Sequence, residues 1–304
     1  MAVLSWVVAI LPILALLTGC GDISNEVFTQ DADFAAAFPG DQTTTLSAPA
    51  GATTATPPDL LALSLTVGTS LNDTLATVLS AVDTVRAAPP ASRDTTARAW
   101  GPYIWDGADL TAQMQLTGGT RYDWALAANS SAFASGSHYA GDTVAAGDGS
   151  FAWDASAEAA QTGGLAAGRL DVTYDNRDGV DLLVVEQGLT ADPATSPPSD
   201  GTYAYALTTG IGDFQYRATI PEPGSPDLAV AAEVHARWID NVGGRADAWL
   251  DGGDLVTEDV WTQCWDGTGT LLYASDTEGL VDVVTGDGGS AACAFHDLAP
   301  ADRI

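Results

Sequence analysis

Three cysteines, three histidines and many aspartates are the residues of this chain that could act as nucleophiles, bases or metal ligands. Cys264 stands in VWTQCWDGTG (260–269), where it reads as a nucleophile, a metal ligand, half of a disulfide or a small buried side chain. A thiolate wants a neighbouring cation or histidine, but Gln263 and Trp265 flank it, and Asp259 and Asp266 oppose negative charge. The histidines are His138, His235 and His296. His235 alternates with Glu233 and Arg237 in DLAVAAEVHARWID, so strand periodicity puts all three on one polar face, as a solvated ladder or around a general base. No HExxH, CxxC or GxSxG occurs, and the nearest approach, Gly288-Gly289-Ser290-Ala291-Ala292, lacks the closing glycine. Zinc therefore finds no ligand set. Asp175, Asp178 and Asp181, or Asp251 and Asp254, cluster oxygens suited to calcium, yet neither stretch has EF-hand spacing and turn chemistry accounts for both. All ten basic residues are arginine, and the absence of lysine excludes a P-loop, a Schiff-base enzyme and a Ser-Lys dyad. We assign no catalytic residue, no metal and no cofactor from the sequence.

The amino terminus carries a more specific signal. It reads MAVLSWVVAILPILALLTGCGD, with Ala2 to Leu17 apolar or small and uncharged. As a helix this run measures about 24 Å, short of the ~30 Å hydrocarbon core, and it has the character of an export signal. Leu17-Thr18-Gly19-Cys20 resembles the lipobox of bacterial lipoproteins. The resemblance implies that residues 1–19 are removed and that Cys20 becomes a lipidated N-terminus, holding the chain on a membrane through its acyl chains. Gly21, where an aspartate would resemble an inner-membrane retention signal, favours the outer membrane, facing the periplasm or the exterior. Export also places the chain where disulfides persist. With Cys20 spent on lipid, Cys264 and Cys293 form an even pair, and a disulfide between them is the expectation.

The formal charge of −30 repels nucleic acid and anionic lipid headgroups, so neither is an expected partner. With 46% apolar residues the chain can nevertheless bury a substantial core. Residues 20–55 are rich in Thr, Ala, Gly and Asp and read as a flexible tether, with a short helix around Asp33 to Phe38. A single domain over 56–304 follows. Its first element is a long amphipathic helix over 56–88, started by Thr56-Pro57-Pro58-Asp59, striped by Leu60, Leu63, Val67, Leu71, Leu75, Val78, Val82 and Val85, and stopped by Pro89-Pro90.

Over 100–304 the period changes to two. LTAQMQLT (110–117), a Gly118-Gly119 turn and TRYDWALA (120–127) spell a β-hairpin, and the same alternation recurs at 150–155, 169–175, 180–186, 202–208, 213–220, 227–240, 245–250, 260–266 and 271–275. Turns this short force neighbouring strands to run antiparallel. The expected fold is mainly β: a large curved antiparallel meander, half-barrel or barrel-like, with one long N-terminal amphipathic helix. Tyr122, Trp124, Phe151, Trp153, Tyr203, Tyr205, Phe214, Tyr216 and Trp238 should line its covered face. In order of elements the chain is similar to periplasmic lipoprotein-carrier and lipid-binding half-barrels. The expected role is that of a non-catalytic envelope lipoprotein, attached to the membrane through Cys20, that binds an apolar small molecule or a protein partner. A structural or adhesive surface protein and an envelope hydrolase are the alternatives.

Overall fold

A computed structural model describes residues 25–54, 58–222, 225–252, 257–277 and 293–295. Helices α1 (Asn25–Ala36), α2 (Asp41–Thr44) and α3 (Asp59–Arg86) precede the sheet, and α4 (Ala155–Thr162) interrupts it. The strands are β1 (Ser92–Arg93), β2 (Ala97–Trp105), β3 (Ala108–Thr117), β4 (Arg121–Ala128), β5 (Ser131–Thr143), β6 (Ala146–Asp154) and β7 (Ala167–Asp175). They continue as β8 (Val180–Thr190), β9 (Ser199–Thr208), β10 (Ile211–Glu222), β11 (Ser225–Ile239), β12 (Gly243–Gly252), β13 (Asp259–Asp266) and β14 (Leu271–Ser275). All fourteen belong to one open antiparallel sheet in sequence order, with β1 and β14 at its edges. The meander expected from the alternation and the short turns is the fold of the chain.

Helix α3, 28 residues and about 42 Å long, runs across the strands on the concave side: its first turns meet β10 and β13 through Ser64 and Tyr216 and through Leu60 and Gln263, and just past its other end Trp100 Nε1 of β2 donates to the Ala88 carbonyl. Leu60, Leu61, Leu71, Leu75, Val78, Leu79, Val82 and Val85 fill the concave side, while Leu63 and Val67 of the expected stripe are only partly buried. The helix start is satisfied from the sheet: Leu60 N–H, one of the donors that a helix leaves unpaired, gives its hydrogen to Gln263 Oε1 at 2.8 Å. Pro58 occupies the N-cap. Thr56, expected there, lies outside the described residues.

The largest departure concerns residues 20–55. Where described, from 25 to 54, this stretch is packed rather than a free tether. The α1 helix presents Phe34, and Phe38 follows it, both 3% exposed. Phe34 meets the ring of Tyr122 edge-on at 5.4 Å, and Phe38 packs on Trp100 and Trp124 at 5.5 and 5.6 Å. Aromatic rows expected to face the long helix alone are thus shared between two helical segments. Arg98 clamps α1 from β2, ion-paired to Asp31 at 2.7 Å with its guanidinium 4.6 Å from the Phe34 ring centroid. Further on, Thr53 and Thr54 N–H both donate to the Thr268 carbonyl.

The first hairpin corrects the expected register by one residue. Thr117 pairs with Arg121, so the connection holds three residues, 118–120, with Gly118 and Gly119 at positive φ. A two-residue turn would have set Met114 and Leu116 opposite Asp123 and Arg121. The observed register sets them opposite Trp124 and Tyr122, keeping the large apolar side chains together on the concave face.

Candidate functional site

A concentration of ionisable side chains lies on the convex face of β10 to β13. Strand alternation places Asp213, Gln215 and Arg217 of β10 there, with Glu233, His235 and Arg237 of β11, Arg245 and Asp247 of β12, and Thr262 and Cys264 of β13. The register sets His235 between Gln215 and Asp247, and Asp247 in turn beside Thr262. Such a face should be solvated. Instead His235 is 3% exposed, Arg237 8% and Asp247 fully buried.

The cover comes from the carboxy-terminal part of the chain. Cys264 and Cys293 are joined in a disulfide with Cα atoms 5.6 Å apart, which brings residues 293–295 onto the sheet. The Phe295 carbonyl accepts a hydrogen bond from Arg245 at 3.3 Å, and the Arg237 guanidinium lies 5.7 Å from the Phe295 ring centroid. Beneath this cover Asp247 pairs with Arg245 at 2.8 Å, accepts the Thr262 hydroxyl at 2.7 Å and lies 3.8 Å from Arg237. Burial pulls the Arg237 guanidinium below its ordinary pKa, and the charge of Asp247 opposes that shift. His235 Nε2 lies 2.8 Å from Asp213 Oδ1 and 2.9 Å from Oδ2. The ladder expected around His235 is therefore an ionic cluster that is buried at His235, Arg237 and Asp247 and open to solvent at Asp213 and Arg217.

Its chemistry is restricted by what surrounds the imidazole. A histidine oriented by a carboxylate has two members of a base-activated nucleophile arrangement, but His235 Nδ1 is buried with no hydrogen-bond partner. The Thr262 hydroxyl donates to Asp247, and the Cys264 sulfur is in the disulfide. Asp213 and Asp247 were not singled out from the sequence, although a detectable signal existed: aspartate is depleted in strand interiors, so one in phase with His235 marks a position paired with a cation or a base.

The other candidates fall elsewhere. His138 points into the concave side, where its Nδ1 lies 3.1 Å from the Tyr174 hydroxyl and its Nε2 2.6 Å from the Val144 carbonyl. Burial lowers its pKa. Arg177 lies 3.0 Å from Asp175 and holds that carboxyl below its usual range, and no group of three metal-ligating side chains occurs among the described residues. Cys20, Asp254, His296 and the stretch 288–292 lie outside the described residues. On the concave side Glu186 is buried, which raises its pKa, and it accepts the Tyr203 hydroxyl at 3.0 Å.

A cavity of about 60 Å³ lies between α3 and the sheet, lined by Leu46, Leu61, Gly68, Phe214, Trp238 and Trp265 among others, and a more open, partly polar hollow of about 550 Å³ lies at β1 to β4 against Arg93, Arg98, Gln113 and Asp123. An apolar cavity of about 150 Å³ holds a single benzene. An acyl chain does not fit in the cavity beneath α3. Comparison with protein-family models, with curated proteins and with solved structures finds no match to this chain.

Proposed function

We propose that this chain is a lipid-anchored envelope lipoprotein, attached to the membrane through Cys20, that has no catalytic role and acts by binding a protein partner at its surface. The observation that carries the reading is the uncharged run from Ala2 to Leu17 closed by Leu17-Thr18-Gly19-Cys20. Two features of the domain accord with it. The concave side is filled by α1 and α3 around a cavity of about 60 Å³, which favours a surface partner over an apolar molecule held inside. The convex ionic cluster is met by a disulfide-held segment, as suits a domain outside the reducing cytoplasm. Metabolic labelling tests the anchor. The native chain should incorporate labelled palmitate and partition with membranes, and Cys20→Ser should do neither. A Cys20→Ser protein that retains both properties would overturn the reading. Native mass spectrometry of the purified protein tests the partner assignment, since a stoichiometric co-purifying lipid beyond the anchor would place an apolar ligand in its stead.

A further inference from the structure

The position of α1 bears on how an anchored domain would sit on its membrane. Helix α1 begins at Asn25, five residues beyond Cys20. At no more than about 3.6 Å per residue, that interval spans at most about 18 Å. The spacer of some 35 residues expected between anchor and domain is therefore largely absent, because residues 25–54 belong to the packed domain. Phe28 is 62% exposed and Val27 40%, in the first turns of a helix whose other phenylalanine, Phe34, is 3% exposed. These two apolar side chains stand next to the point where the acyl chains would attach. One turn on, Asp31 ties the helix to the sheet, ion-paired to Arg93 at 2.8 Å and to Arg98 at 2.7 Å.

The geometry points to α1 as a membrane-docking element, with Phe28 and Val27 seated in the headgroup region of the bilayer that carries the anchor, so that the domain lies against the membrane. This inference rests on the lipidation of Cys20 proposed above. Charge selects the kind of surface. A chain of formal charge −30 is repelled by anionic headgroups, so the docking is apolar and belongs on a zwitterionic surface.

The test uses the full lipoprotein reconstituted in phosphatidylcholine–phosphatidylethanolamine vesicles. The disulfide between Cys264 and Cys293 leaves a cysteine introduced by Phe28→Cys as the target for an environment-sensitive fluorophore. A second protein carries the label through Leu183→Cys, on the convex face of β8, where the native leucine is 42% exposed. With a nitroxide on the lipid acyl chain, the label at 28 should be quenched about twofold or more, as befits a side chain buried about 5–10 Å into the interface. The label at 183 should not be quenched. If palmitate is incorporated but position 28 is quenched no more than position 183, the docking is refuted while the anchor stands. If no palmitate is incorporated, the anchor itself fails, and the docking with it.

Discussion

Replacing Gly68 by alanine should stabilise the domain, and the size of the effect can be worked from the structure. Gly68 lies within α3, is buried and lines the cavity beneath the segment that carries Leu46. A Cβ built there meets Leu46 Cδ2 at 3.9 Å and Phe214 Cε1 at 4.0 Å, which is ordinary van der Waals contact. No neighbour has to move. Removing a glycine from a helix interior gains about 0.8–1.0 kcal/mol, and burying one more methyl adds about 0.8 kcal/mol. The sum is about 1.5–2 kcal/mol. At about 2–4 °C per kcal/mol for a large domain, the melting temperature should rise by about 3–8 °C. The assay is urea and thermal unfolding of the Cys20→Ser protein with its disulfide intact, followed by tryptophan fluorescence. An unchanged or lowered midpoint would show that α3 does not pass Leu46 and Phe214 as described, and the filled concave side would lose its main support.

Asp247→Asn removes the carboxylate shared by Arg245, Arg237 and Thr262. Leaving buried guanidinium groups without it should cost about 3–5 kcal/mol, and a urea midpoint within error of the parent would mean that water reaches the cluster. Cys293→Ser opens a loop of 29 residues and should cost roughly 3–4 kcal/mol on the chain-entropy argument; titration of the unfolded, unreduced Cys20→Ser protein should find no free thiol, and two would show that the bridge does not form. His138 has its pKa lowered by burial, so the unfolded chain binds its proton more readily and stability contributed at neutral pH is lost as the pH falls below about 6.5. His138→Gln should flatten that acid-side decline in melting temperature between about pH 7 and 5, and a decline of undiminished slope would show that the imidazole is accessible to protons in the folded state.

Much of the architecture can be read from local chemistry. Alternating side chains and Gly/Asp turns from 110 onward specify antiparallel neighbours because short connections permit nothing else. The three- and four-residue steps from Leu60 to Val85 and the stop at Pro89-Pro90 specify α3 in the same local way. The pairing of Cys264 with Cys293 followed from compartment and count. Strand β5, SAFASGSHYAGDT, escaped notice because serine, glycine and alanine carry little strand preference, and its place is set by pairing with β4 and β6. Helix α4 escaped too, although Asp154 caps it and Gly163 ends it in the left-handed conformation.

Other features existed only in three dimensions. Phe34, Phe38 and Leu46 are too sparse to declare a core-facing segment, and burying them requires a hollow that appears only when fourteen strands curl. The one-residue choice of register at 118–120 was decided by which pairing keeps tryptophan and tyrosine on the hollow side. Alternation distinguishes the two faces of a strand, but it cannot say what lies above either of them. At β10 to β13 the convex side chains Arg237 and Arg245 meet Phe295, fifty or more residues away in sequence and held there by a covalent bond. The polar character of that face is a property of its residues; what lies against it is a property of the chain that returns there.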